Sequence, residues 1–210
     1  LRERLEHDMV LPDAIEGRLR RVEQEWAARD RLALHGLRPR QRILLHGPWG
    51  CGKTLAASRL AWNCGLSLAH VRAGALVAGA VAAVFGHARA TASVLVLDEC
   101  ERLVVAESGR AALLQQLDEG VGRSVLVATT SNLGALDAAV LGRFDEVVEL
   151  PLPAVAEVER LLRMSLSAMR CEAGMPWAEL ARACVGQSAA AAVRAAREAG
   201  KAAVLQALAK

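Results

Sequence analysis

The sequence predicts an α/β fold in three layers, a parallel sheet with helices on both faces, followed by a small all-helical C-terminal domain. Three observations predict it. Short apolar stretches alternate with helical patterns as far as residue 150. The stretch 47–54, "GPWGCGKT", is a glycine-rich turn set between a strand pattern and a helix pattern. Beyond Pro151 and Pro153 no strand pattern recurs. Alternation of this kind places parallel strands in a sheet whose crossover helices cover both faces.

Taken in order, an opening helix is expected over 13–35, with Leu19, Val22, Trp26 and Leu32 close to one face and Gly36 as its stop. "RILLH" reads as a strand, and "TLAASRLAWNCG" as a helix with apolar Leu55, Leu60 and Ala61 that closes at Gly65. "SLAHVRA" is the next strand and a helix then ends near Ala90. "SVLVLDE", a helix near 108–119, "SVLVATT" and "EVVELP" complete the alternation. Helices at about 154–170, 177–185 and 188–209 make up the remainder. The two prolines set the expected boundary, 1–152 for the α/β core and 153–210 for the helical domain.

The composition excludes several classes. The formal net charge is only +3, and arginines alternate with glutamates rather than forming a basic block, so neither a nucleic acid nor a membrane surface is an expected partner. Five cysteines, Cys51, Cys64, Cys100, Cys171 and Cys184, lack C-x-x-C spacing, which reads as reduced thiols in a cytoplasmic protein rather than a zinc site. The most apolar run, "ALVAGAVAAVF", is well short of the roughly 20 residues a membrane span requires.

One lysine carries much information. Of 26 basic residues only Lys53, Lys201 and Lys210 are lysines, and a compact ammonium fits a tight glycine loop where a guanidinium fork does not. Gly47, Gly52, Lys53 and Thr54 match the phosphate-binding pattern G-x-x-x-x-G-K-[ST]. In that pattern backbone N–H groups converge on the phosphates, the lysine reaches the terminal ones, and the threonine hydroxyl meets Mg²⁺. A strand before the loop and a helix after it supply the required context, and the helix N-terminus adds orphan N–H groups to the anion site. The expected nucleotide contacts run from Gly47 through Pro48, Trp49, Gly50, Cys51 and Gly52 to Lys53, Thr54 and Leu55.

"VLVLDE" is an apolar strand that ends on two acids, Asp98 and Glu99. In an open α/β sheet that places charge at the carboxyl edge, where ligands bind. Asp98 is expected to hold Mg²⁺, together with Thr54, and Glu99 to act as general base on a water.

At this point the chain is identified as a member of the AAA family of ATPases, within the broader AAA+ group of P-loop NTPases. The motifs that resemble it are "GPWGCGKT", "VLVLDE", "VLVATTSN", "LDAAVLGRFDEVVELPLP" and the helical segment containing "GQSAAAAVRAAREA". The resemblance implies ATP and Mg²⁺ as cofactors, ATP hydrolysis, and a homo-oligomeric ring, often a hexamer, with nucleotide at subunit interfaces. It makes Arg143 an arginine finger offered to the neighbouring subunit; if its role is structural instead, Asp145 is the acid expected to hold it. The polar sensor at the strand end is Asn132 by residue type or Ser131 by ungapped count. "MVLPD" is similar to the segment that meets adenine, so Val10 and Leu11 either contact the base or staple the first helix.

Three departures from the family qualify this. Its second arginine position falls on Val140 or Gly142. Its Gly-Ala pair in the helical domain falls on Ala189 and Ala190, with Arg194 either a second sensor or an exposed helix arginine. The third concerns the pore segment: "LVAGAVAAVF", from Leu76 to Phe85, spans the family's path over fewer residues and offers no aromatic before Phe85. A tight turn near Gly79 leading into a short helix, with no projecting loop, is the expectation. The implied function is a protein-remodelling or assembly ATPase with a protein partner; a nucleotide-gated scaffold with negligible turnover and a nucleic-acid-associated loader are the alternatives.

Overall fold

A computed structural model describes residues 9–172 and 174–208. It separates into two compact units, a larger one of Asp13–Gly47 and Lys53–Leu150, and a smaller one that groups 9–12 and Pro48–Gly52 with 151–208.

The larger unit is built on five parallel strands, β1 (Arg42–His46), β2 (Ser67–Arg72), β3 (Ser93–Asp98), β4 (Val125–Thr130) and β5 (Glu146–Glu149), in the order β2-β3-β4-β1-β5. All six residues of β4 and the first five of β3 are buried, as expected of strands covered on both faces. Pleating sends Leu44, Leu95, Leu97, Leu126 and Ala128 into a cluster with Phe85, Leu113, Leu117 and Val140. The alternate residues Ile43, Leu45, Val94, Val96, Val125 and Val127, also buried, face the other way.

The helices follow from the same pattern. α1 (Asp13–Ala27) buries Leu19, Val22 and Trp26 at helical spacing and places Asp13 and Glu16 in its first turn, where the helix dipole favours acids. The single opening helix expected over 13–35 is in fact two: α2 (Arg29–Leu34) follows a break at Ala28. Arg29, the first residue of α2, stacks 5.1 Å from the Trp26 ring and donates to the Trp26 carbonyl at 3.1 Å. α1 packs on α3 (Lys53–Cys64) through Arg59, a buried guanidinium that donates to Glu16 at 2.7 Å and lies 3.4 Å from Glu23. Arg59 pulls the Glu16 carboxyl below its ordinary range, whereas burial pushes that of Glu23 up.

On the opposite face α4 (Ala78–Thr91) pairs with α5 (Glu107–Glu119). The turn expected near Gly79 lies earlier. Ala73–Ala75 forms one 3-10 turn, Leu76 and Val77 are extended, and α4 starts at Ala78 and runs for 14 residues, so it is not short and Gly79 is inside it. A glycine costs a helix about 1 kcal/mol relative to alanine, and fully burying Val81, Phe85 and Ala88 along one face outweighs that. A short helix α6 (Ala138–Leu141), capped by Asp137 accepting from the Val140 N–H at 2.9 Å, leads to β5.

The smaller unit holds α7 (Val155–Ser165), α8 (Trp177–Ala183) and α9 (Ala189–Leu208) around Val158, Leu162, Ala181, Ala192 and Ala196. Arg163 lies 5.2 Å over the Trp177 ring, tying α7 to α8. Among the described residues no helix is long and apolar enough to cross a membrane.

Candidate functional site

Parallel strands put all their carboxyl ends on one edge, and the chain's chemistry gathers there. β1 ends at His46 and passes into Gly47, whose N–H donates to the Thr130 carbonyl at 3.3 Å. Gly47 has φ +139, and a Cβ on it would lie 2.1 Å from the Leu150 carbonyl oxygen, so no side chain fits. Gly50 (φ +78) and Gly52 (φ +92) repeat the left-handed requirement. α3 then starts at Lys53, and the Lys53 ammonium reaches back to donate to the Gly47 carbonyl at 2.6 Å, closing the turn on itself. Thr54 is exposed and Leu55 half-buried in the first turn of that helix.

The middle of the loop belongs to the smaller unit. There the Ala190 N–H donates to the Gly50 carbonyl at 3.0 Å, Cys51 is buried and Trp49 is 63% exposed. Val10 is half-buried and Leu11 buried, and the Met9 methyl lies 3.5 Å from where a Cβ on Gly52 would stand. Pro48 belongs to the same stretch, and Arg194 is exposed on α9.

Asp98 closes β3 with its carboxylate half-buried. Thr129 on β4 donates its hydroxyl to Asp98 Oδ1, and His70 Nε2 on β2 stands 3.5 Å from Asp98 Oδ2. Glu99 follows in a left-handed conformation, φ 57 and ψ 49, and its N–H donates to the same Thr129 hydroxyl at 3.2 Å. Its carboxylate lies 2.6 Å from Arg102 Nε. Cys100 is fully buried, and burial pushes its thiol far up. Glu101 Oε1 accepts from the Ser131 hydroxyl at 3.0 Å and from the Ser131 N–H at 3.3 Å. Sequence reasoning missed Thr129, His70, Glu101 and Arg102. The signal for Thr129 is the register, since the Leu97↔Ala128 pair makes it the next residue across from Asp98.

The two sensor candidates differ in surroundings. Ser131 spends its hydroxyl on Glu101, whereas Asn132 is exposed and bonds through its backbone, its N–H donating to Thr130 Oγ1 at 3.1 Å and its carbonyl accepting from the Ala135 N–H at 3.2 Å. Arg143 is held in its own chain by a two-pronged bond to Asp118, Nε to Oδ1 at 2.7 Å and Nη2 to Oδ2 at 3.1 Å, and by the Ala139 carbonyl at 2.6 Å. The expected holder, Asp145, is engaged elsewhere: it accepts from Arg42 Nη2 at 2.6 Å and from the N–H groups of Gln41 and Arg42. Burial raises the Asp145 carboxyl, but those bonds outweigh it and hold it below its ordinary range. Val140 is fully buried and offers no second cation.

The donor set suits a hard divalent cation. The Thr54 hydroxyl and the Asp98 carboxylate are oxygen ligands of the type Mg²⁺ takes, and Mg²⁺ is ordinarily bound by one or two carboxylates plus substrate phosphates rather than by an all-protein cage. Among the described residues no group of three or more His, Cys, Asp and Glu side chains forms such a cage.

Comparison with known proteins shows the family. Residues 43–152, more than half of the chain, match the family model described as "ATPase family associated with various cellular activities (AAA)". The chain belongs to the AAA family of ATPases. An uncharacterized AAA family ATPase, y4kL, of Sinorhizobium fredii is 33% identical over 175 residues, covering 75% of this chain and 53% of that protein. The ATPase family AAA domain-containing protein 3A homolog of Drosophila melanogaster is 32% identical over 59% of this chain and 24% of its own length. The proteasome-activating nucleotidase of Aeropyrum pernix is 35% identical over 57% of this chain and 35% of its own. The chain thus spans about half of the first of these AAA proteins and less of the others.

Proposed function

We propose that this AAA chain binds ATP with Mg²⁺ and hydrolyses it at the interfaces of a homo-oligomeric ring, as a protein-remodelling or assembly ATPase. The observation that carries the reading is the placement of Lys53 and Thr54 after β1 and of Asp98 and Glu99 at the end of β3, on the carboxyl edge and on either side of the β4 end. Lys53 would leave the Gly47 carbonyl for the β and γ phosphates, the loop N–H groups would hold the same oxygens, and Val10 and Leu11 would meet the base. Thr54 and Asp98 would hold the cation. Bound Mg²⁺ supplies neutralisation of the charge developing on the phosphate oxygens. Glu99 would turn from Arg102 to take the proton of the attacking water, Asn132 or Ser131 would orient that water, and Arg143 would serve the neighbouring subunit's site. Residues 1–152 are the nucleotide-binding core in this scheme and 153–210 a helical domain, with Arg194 as the basic residue nearest a second-sensor role.

The experiment is Lys53→Ala with a fluorescent ATP analogue. Loss of the Lys53 ammonium from the terminal phosphates is expected to abolish detectable binding while the protein stays folded; undiminished affinity would end the phosphate-loop reading. A second reading, a nucleotide-gated scaffold of slow turnover, draws on two pairings: Glu99 with Arg102 and Arg143 with Asp118 must both open before catalysis.

The segment that follows β2 bears on what the ATPase does. Only the 3-10 turn, Leu76 and Val77 separate β2 from α4, and Phe85 is fully buried in the core. A loop that grips a threaded chain needs bulky contact area, at roughly 25 cal/mol per Å² of apolar surface, and alanines supply little. The purified chain with ATP is therefore expected to leave a tailed fluorescent substrate folded, acting instead through a protein partner. ATP-dependent loss of substrate fluorescence, absent in Glu99→Gln, would show threading and defeat this expectation.

A further inference from the structure

We propose that Thr129 is a positioning residue, whose single hydroxyl sets the geometry of both acids at the end of β3. The inference rests on the Mg²⁺-nucleotide reading above and concerns how this chain's own residues prepare for it. A threonine hydroxyl has one proton to give and lone pairs to receive. Thr129 uses both at the β3 end: its proton goes to Asp98 Oδ1, and it accepts the Glu99 N–H at 3.2 Å. Adjacent acids with different tasks are thereby tied to one atom on the neighbouring strand.

Two further observations give the bond a purpose. Glu99 is one of two non-glycine residues with positive φ among the described residues, the other being Ala92 after α4. Left-handed backbone at a glutamate is unfavourable and persists only where surrounding bonds hold it. The Glu99 N–H in that conformation has the Thr129 oxygen as its acceptor. On the far side, Ser131, the residue after β4, donates its hydroxyl to Glu101 Oε1 at 3.0 Å. The segment 98–101 is thus fastened at one end to β4 and at the other to the residue that follows β4, with Glu99 between. Thr129 itself is 1% exposed, which keeps water from competing for the bond. The effect of the hydroxyl bond is to fix one Asp98 oxygen, leaving the other 3.5 Å from His70 Nε2, and to hold the backbone from which the Glu99 side chain extends.

The test compares Thr129→Val, which keeps the shape and deletes the hydroxyl, with Thr129→Ser, which keeps it. The first readout is binding of a fluorescent ATP analogue, with and without Mg²⁺, and the second is kcat against KM. Partners that orient a metal's ligands cost 10- to 100-fold in metal affinity or activity when removed. Thr129→Val is therefore expected to raise the Mg²⁺ concentration for half of the metal-dependent gain in affinity by about tenfold. It should lower kcat more than it raises KM, and leave metal-free binding at the wild-type value. Thr129→Ser is expected to restore both. Wild-type Mg²⁺ dependence in Thr129→Val overturns the proposal, as does a serine variant as impaired as the valine one. Should the valine variant not fold, Thr129→Ala carries the same comparison; failure of both to fold makes the hydroxyl a bond of the fold and overturns it too. A wild-type chain without Mg²⁺-dependent nucleotide binding would defeat the underlying reading instead, a result visible before any variant is made.

Discussion

Arg143→Ala is expected to lower the ATPase rate by about 10³- to 10⁵-fold, the effect of removing an arginine finger that neutralises charge on the transferred phosphate. The variant should melt like the wild type. Arg143 sits on the surface, and its bonds to Asp118 and to the Ala139 carbonyl lie outside the packed core, so the loss of rate has no loss of fold behind it. On the proposed reading the finger would act on a neighbour's nucleotide, and this gives the decisive comparison. A mixture of Arg143→Ala with Lys53→Ala chains contains interfaces that pair an intact loop with an intact arginine, and those should recover activity that neither parent has. Asp118→Ala supplies the control: if the Arg143–Asp118 bond matters only to the chain that contains it, Asp118→Ala will reproduce the whole defect and mixing will rescue neither. Co-assembled mixtures without recovered hydrolysis would sink the finger assignment.

Much of the fold was legible because it depends on local pattern. The continuous apolar run of β3 and β4 announces burial on both faces, and the glycines of the loop announce backbone that other residues rarely adopt, as at Gly47, where an added Cβ would lie 2.1 Å from the Leu150 carbonyl oxygen. What was not legible depends on partners distant in sequence or on competing local terms. The break at Ala28, where the backbone turns to φ −94 and ψ 6, lies inside a good helical period that gives no sign of it. Gly79 looks like a turn residue, but the burial of Phe85 along a helix outweighs its weak propensity. The Arg143 holder is Asp118, 25 residues upstream on α5, rather than the adjacent Asp145, because Arg42 from β1 already occupies Asp145. The link from Thr129 to both acids follows from β3–β4 register, which a sequence alone does not fix.

Glu99→Gln is expected to separate binding from turnover more cleanly than any other change. A positioned general base contributes roughly 10²- to 10⁴-fold, and an amide of the same length keeps the shape but has no basic oxygen to take the proton from water. Binding should survive, since Glu99 carries none of the loop contacts to phosphate and the substitution leaves Lys53, Thr54 and Asp98 in place. The backbone should survive as well. The left-handed conformation at 99 is held through the residue's own N–H and the Thr129 hydroxyl, neither of which the substitution alters. The change at the surface is confined to the pair with Arg102, whose side chain is more than half exposed and remains solvated without its partner. The variant should therefore bind a fluorescent ATP analogue with wild-type affinity, hold ATP unhydrolysed, and accumulate whatever assembly the ATP state favours, which sizing with ATP and with ADP would reveal. If Glu99→Gln instead hydrolyses ATP at the wild-type rate, another group takes the proton, and the strained backbone at 99 serves the turn into Cys100 rather than the chemistry.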